Sequence, residues 1–205
     1  MRRLIIAAIA SALPLLTLTA AAAGSGAAPA YVTAALNSPT RKADAVDDAR
    51  RQIAAVMTFA GVKPGQKVLE LVPGEGYWTR VFSGIVGPQG HVYTVWPDGY
   101  QQYVTDSFAA WQKLVATPQY SNVSLLRQAD ADLKVPEAVD SVFTCQNYHD
   151  YHDKFMGPVD MAAFDKKVFD ALKPSGLFVV VVNVALAGSG FSATDTTHRI
   201  DPEAV

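Results

Sequence analysis

The chain has 205 residues, and half of them are hydrophobic, which is enough for one conventional core. Its 17 lysine and arginine residues against 19 aspartate and glutamate residues give a formal net charge of −2. Because neither sign forms a long run, the sequence argues against a nucleic-acid-binding surface and against a surface for anionic membranes.

The first 23 residues have the three parts of a secretory signal peptide. Arg2 and Arg3 precede an uncharged apolar run from Leu4 to Thr19, and small residues follow it. An uncut membrane anchor is the alternative, since a run of this length could just span a bilayer, although Pro14 interrupts it. The pattern predicts a periplasmic or secreted protein with no membrane attachment once the peptide is removed.

Residues 24–40 are rich in alanine, glycine, serine and proline, which predicts a linker before a folded domain over 41–205. Apolar residues at helical spacing then predict a helix that begins near Ala45 and ends before Gly61. Cys145 is the single cysteine, so no intrachain disulfide can form, and we expect it to be a small buried hydrophobic residue.

Strand and helix patterns alternate along the rest of the chain. The predicted strands cover 67–72, 91–95, 123–126, 141–144 and 177–184, and the predicted helices between them cover 77–86, 100–115 and 160–172. Serial strand–helix units favour a parallel sheet with helices on both faces. We therefore predict an α/β fold with a doubly wound, mainly parallel sheet of five strands.

The most informative segment, Glu70–Gly76, runs from the first of these strands into a glycine loop and the next helix. In a doubly wound sheet this turn lies at the crevice where ligands bind. Glycine permits a sharp turn and close approach of a ligand, and amides at a helix start favour carboxylate or phosphate. A dinucleotide-binding motif has a third glycine, where this sequence has Thr79, and an acidic residue about twenty positions further on, where the first carboxylate is Asp98. The sequence therefore disfavours a nicotinamide oxidoreductase.

The loop resembles motif I of the class I S-adenosylmethionine-dependent methyltransferases, with Val72 in place of the usual first glycine. Three further segments are similar to a group of predicted exported bacterial methyltransferases: Asn147–Asp150 after the fourth strand, Leu172–Gly176 before the fifth, and Gly188–Gly190 with His198–Asp201 after it. The resemblance covers residues 41–205. It implies the Rossmann-like class I methyltransferase fold, truncated after strand five because residues 185–205 are too few for the usual C-terminal hairpin.

The same resemblance implies S-adenosylmethionine as the cofactor. The residues expected beside it are Glu70, Pro73, Gly74, Glu75, Gly76, Asp98, Asp130 and Asn147. Asp98 stands near the position of the acid that binds the ribose hydroxyls, and Asp130 is similar to the acid that contacts the adenine amino group. Asp132 is a second candidate for the adenine contact. For Asp98 and Asp130 alike, the alternative is a solvated loop carboxylate or a helix cap.

Methyl transfer needs positioning above all, and a base only when the acceptor must lose a proton. We predict His149 as that base, with Asp150 orienting its ring; a loop whose side chains cap the next helix is the alternative. No metal site is predicted, because His149, Asp150, His152 and Asp153 lack a further ligand and a defined geometry. Five aromatic residues at strand ends are candidates for an acceptor pocket or for core packing: Tyr77, Trp78, Trp96, Tyr148 and Tyr151.

These patterns together predict methyl transfer to a small-molecule acceptor. The alternative is a noncatalytic exported binding module that keeps the nucleotide fold but binds another ligand. Val72 and the missing acid at the end of strand two favour the binding module, whereas the glycine loop and Asn147–Asp150 favour the enzyme.

Overall fold

The computed structural model describes residues 3–7, 27–129 and 132–205. Asp130, predicted to contact adenine, lies outside these residues, as does most of the predicted signal peptide. None of the helices in the described ranges is long and apolar enough to cross a membrane.

One sheet of six parallel strands organises the fold. The strands are β1 (Arg3–Ala7), β2 (Lys67–Leu71), β3 (His91–Pro97), β4 (Val123–Gln128), β5 (Val139–Cys145) and β6 (Leu172–Val181), and they lie in the order β1-β6-β5-β2-β3-β4. The five predicted strands are confirmed as β2 to β6. Because β2 lies between β3 and β5, the winding direction reverses there, which is the defining feature of a doubly wound sheet.

Helices flank the sheet. They are α1 (Ala30–Leu36), α2 (Ile53–Ala60), α3 (Tyr77–Val86), α4 (Gln101–Val115), α5 (Met161–Ala171) and the single turn α6 (Thr194–Thr197). Alternate residues of β2 enter two separate hydrophobic clusters, with Val68 in one and Leu69 and Leu71 in the other. The central strand β2 is therefore buried on both faces, as in a sheet covered by helices on both sides.

The sixth strand, β1, was not predicted. It lies within the predicted signal peptide and pairs in parallel with Leu177–Val181 of β6. A short apolar run fits a helix or a strand equally well, so the open edge of β6 decides between them here. Neither residues 24–40 nor residues 185–205 contribute a strand to the sheet in the described chain.

The segment before β2 differs from the prediction in two places. The predicted linker contains α1, whose Ala35 packs where a side chain on Gly84 would lie, so that glycine allows α1 to approach α3 closely. The helix predicted from Ala45 begins only at Ile53. Short 3-10 turns precede it, because Arg41, fully buried, binds Asp48 at 2.7 Å and draws this segment inward.

Candidate functional site

The carboxyl ends of β2, β3, β5 and β6 meet at one edge of the sheet, around the point where its winding reverses. The loops that leave this edge carry the residues that the sequence singled out. The loop after β2 lies at the centre of this edge.

Backbone conformation sets the path of the loop after β2. Val72, at the position of the usual glycine, has a φ of 53°, in the left-handed region that glycine favours and that strains a β-branched residue. Its amide donates to Val95 of β3 at 2.9 Å, and its carbonyl accepts from the Asn147 side chain at 3.0 Å. The valine thus follows the turn that the glycine would make, and Asn147 joins this loop to the loop after β5.

The two glycines of the loop have different surroundings. A Cβ on Gly74 would meet nothing within 4 Å, whereas a Cβ on Gly76 would lie 2.2 Å from the buried Trp111 ring of α4. Gly74 and Glu75 are exposed, and their amides donate no hydrogen bond to any described residue. The structure therefore leaves the Gly74 side of the loop open to a ligand, while Gly76 accommodates the packing of Trp111 and Pro73 is buried.

Glu70 does not face solvent at the crevice. Its side chain is 1% exposed and accepts a hydrogen bond from the Thr79 hydroxyl of α3. Burial raises the pKa of Glu70 to about 8, against smaller lowering effects of the Thr79 hydrogen bond and the Arg80 charge. In this structure the residue links β2 to α3, and its contact with the cofactor remains a prediction.

The acidic residues predicted to bind the nucleoside end are placed as follows. Asp98 follows β3 directly, is half-exposed and pairs with Arg127 at 2.9 Å. Asp132, the competitor of Asp130, pairs with Lys134 at 2.7 Å and with Lys167 at 3.3 Å. Asp98 therefore stands at the predicted edge of the sheet, and its role toward a cofactor remains a prediction.

A cluster of histidine and aspartate side chains lies beyond β5. His149 Nε2 is 2.9 Å from Asp150 Oδ1, as expected for a base and its orienting group. Asp153 and His198 join this pair, so that one potential ligand atom from each of the four residues lies within 4.8 Å of the others. Sequence reasoning missed this set because His198 comes from the segment after β6; the role of His149 as a base remains a prediction.

The five aromatic residues at the strand ends pack into the core, where each is at most 8% exposed. The Tyr77 hydroxyl donates to Asp48 at 2.6 Å, and the Tyr148 hydroxyl donates to Asp165 at 3.0 Å. Core packing therefore accounts for these residues, although Trp78 also lines the cleft described next.

A cleft of about 180 Å³ opens near the carboxyl ends of β5 and β6. Its lining includes Arg51, Trp78 at the start of α3, and Gln146 and Asn183 after the two strands. The Arg51 Nε atom is buried without a hydrogen-bond partner among the described residues. The cleft thus has a cationic side chain in its lining.

Comparisons with known proteins identify relatives of the part of the chain that contains the glycine loop. The sequence model of the protein-L-isoaspartate(D-aspartate) O-methyltransferase family matches residues 28–134, just over half of the chain. Protein-L-isoaspartate O-methyltransferases of Methanothermobacter thermautotrophicus and Ignicoccus hospitalis are each 43% identical over 47 residues, 23% of this chain. The matched segment spans only 22% of the length of each of these relatives.

Two solved structures that resemble this chain have the following identities and coverages. An S-adenosylmethionine-dependent methyltransferase from Aquifex aeolicus is 21% identical with a TM-score of 0.49, covering 83% of this chain and 77% of that one. The glycopeptide N-methyltransferase MtfA, complexed with sinefungin, is 20% identical with a TM-score of 0.49, covering 67% of this chain and 49% of that one.

Proposed function

The chain belongs to the protein-L-isoaspartate(D-aspartate) O-methyltransferase family, and on that premise we propose that it transfers a methyl group from S-adenosylmethionine to an acceptor. The observation that carries the proposal is the loop after β2, which stands at the reversal point of the sheet with its Gly74 side open. When bound, the cofactor supplies an activated methyl group for in-line displacement. The chain then has to bind the cofactor and the acceptor, orient them toward each other and exclude water.

The residues of the loop fit such a cofactor. The amides of Gly74 and Glu75, in the loop that leads into α3, have no partner in the described chain, and free amides before a helix favour a carboxylate. Gly74 has no side chain to fill the space above the loop. The hydrogen bond from Asn147 to the Val72 carbonyl holds this surface beside the loop after β5, where an acceptor would have to lie.

We place the acceptor, a small molecule, in the cleft lined by Arg51, Trp78 and Asn183. The family match ends at residue 134, so it does not extend to Gln146 or Asn183, and the relatives' protein acceptor is not carried over with it. The cleft volume of about 180 Å³ suits a small acceptor. The positive charge of Arg51 in the lining favours an acceptor with a carboxylate or another anionic group.

Isothermal titration with S-adenosylhomocysteine tests the cofactor assignment. We expect the native chain to bind, and we expect Gly74→Val to weaken binding about tenfold or more, because the added side chain fills the open space above the loop. Gly65→Val is the matched control: Gly65 also has a positive φ and an open Cβ direction, but it lies in the turn before β2, at the opposite end of that strand.

Unchanged binding by a folded Gly74→Val protein would remove this loop as the site. Failure of the native chain to bind either S-adenosylmethionine or S-adenosylhomocysteine would favour the noncatalytic binding module. Circular dichroism of both variants checks that the comparison is made between folded proteins, since each valine adopts a strained backbone conformation.

We further propose that the chain is exported and that its signal peptide, which includes β1, is removed, so that the sheet of the mature protein consists of β2 to β6. The charged start, the apolar run and the small residues that follow support this, and they predict a mature N-terminus between about Ala21 and Ala30. Intact-mass measurement on protein from cell fractions is the test. Full-length protein beginning at Met1 and found only in the cytosol would contradict export.

A further inference from the structure

We propose that His149, Asp150, Asp153 and His198, here called the His–Asp cluster, bind one divalent transition-metal ion. The ion would tie the segment after β6, which carries His198, to the 3-10 turn Tyr148–His152 and Asp153 after β5. The inference is independent of methyl transfer, because it depends only on the ligand set.

The geometry of the cluster is close to that of a metal site. One ligand atom from each residue lies within 4.8 Å of the other three, and His198 Nδ1 is 4.0 Å from Asp150 Oδ1. Ligands bonded to zinc at about 2.0 to 2.2 Å lie roughly 3 to 4 Å apart, so the cluster would need to contract by about 1 Å. The His198 side chain is 66% exposed and has room to make this movement.

Two buried atoms of the cluster lack partners. His149 Nδ1 and Asp153 Oδ1 make no hydrogen bond within the described chain, although their residues are only 1% and 2% exposed. Buried polar atoms are nearly always satisfied, so two unsatisfied atoms in one cluster of potential ligands point to a missing partner. A cation would satisfy Asp153 directly.

The charges of the cluster lead to the same conclusion. Asp150 is 8% exposed and pairs with the two histidines, and Asp153 forms no ion pair with a lysine or arginine of the described chain. Two carboxylates buried this close to each other are costly without a compensating positive charge. A divalent cation provides that charge at the point where both carboxylates converge.

The donor atoms select the class of metal. Two imidazoles with two carboxylates suit zinc and neighbouring first-row transition ions better than magnesium or calcium, which prefer oxygen ligands alone. The Tyr100 hydroxyl donates to the second oxygen of Asp150, which is the kind of support that orients a ligating carboxylate. The exposed His198 leaves a side of the site open to solvent, through which the ion can enter.

Titration of the untagged, chelator-stripped full chain with Co²⁺ and then Zn²⁺ tests the proposal. We expect one equivalent of Co²⁺ to give the visible absorption of a ligated ion, Zn²⁺ to displace it, and the melting temperature to rise with metal concentration. His198→Ala and Asp153→Asn should each weaken binding about 100-fold or more. His91→Ala is the matched control, because His91 contacts Ser124 on the neighbouring strand, away from the cluster.

Two results would overturn the proposal: no stoichiometric binding by the native chain, or equally tight binding by the folded His198→Ala variant. Titration of the metal-free chain with S-adenosylhomocysteine tests cofactor binding without the metal. Failure of the metal site can therefore be distinguished from failure of the proposed methyl-transfer function. If the ion does bind, His149 is a ligand, and the prediction that it acts as a general base is excluded for the metal-bound protein.

Discussion

Gly76→Val is expected to destabilise the domain by about 3 kcal/mol or more. The new Cβ would lie 2.2 Å from one atom of the Trp111 ring and within 2.9 Å of two others, and the ring is only 3% exposed, so it has no free space to move into. The valine would also hold a φ of 80°, which strains any β-branched residue. Urea unfolding followed by circular dichroism measures the change in unfolding free energy.

Gly74→Val is the internal control for this experiment. It carries the backbone strain of a positive φ without a steric clash, so it should cost only about 1 to 3 kcal/mol. Equal stability of the two variants would contradict the packing of Trp111 on Gly76. The comparison also shows why Gly76 is unsuitable for locating the cofactor: loss of ligand binding in that variant would follow from unfolding alone.

Glu70→Gln is expected to stabilise the protein in alkaline solution and to have little effect in acid. Burial raises the pKa of Glu70 to about 8 in the folded state, from an ordinary value of 4.5. A raised carboxyl pKa means that the folded state binds its proton more tightly, so the stabilisation is fully present below about pH 4.5 and is lost as pH rises through 8. The loss amounts to a few kcal/mol, and glutamine avoids it because it never ionises.

Thermal melts at pH 5 and pH 9 measure this effect. The difference in melting temperature between Glu70→Gln and the native chain should be small at pH 5 and clearly positive at pH 9. Glu75→Gln, on an exposed residue of the same loop, should show no such change with pH. A stability difference that is the same at both pH values would show that Glu70 is already ionised in the folded protein.

The sequence was sufficient for the five strands β2 to β6, because each contains several apolar residues and glycine or proline lies between consecutive strands. The pairing of β1 could not be predicted, since it depends on an open edge 174 residues away along the chain. The glycine loop was located correctly at the carboxyl end of β2. The different surroundings of its two glycines depend on Trp111, whose contact with Gly76 has no local sequence signal.

Side-chain direction limited the prediction of the candidate site. Glu70 precedes the glycine loop, and strand alternation places its side chain on the same side as Val68, facing α3, which the motif alone does not indicate. The pair His149 and Asp150 could be proposed from adjacency alone. His198 joins them only because the segment after β6 folds back, with Ile200 bridging to Val184, and a contact over this distance is invisible to motif reasoning.

The order of the strands also determines when the crevice forms during folding. β2 pairs with β3 through residues 24 positions apart, but it meets β5 only through pairs such as Val68 with Ser141, which are 73 positions apart. Closing that longer loop costs more chain entropy and slows pairing. The crevice should therefore assemble late, after the β2–β3–β4 half has formed. A nascent chain in which β5 has not yet been synthesised cannot bind the ligand, even if its glycine loop is complete.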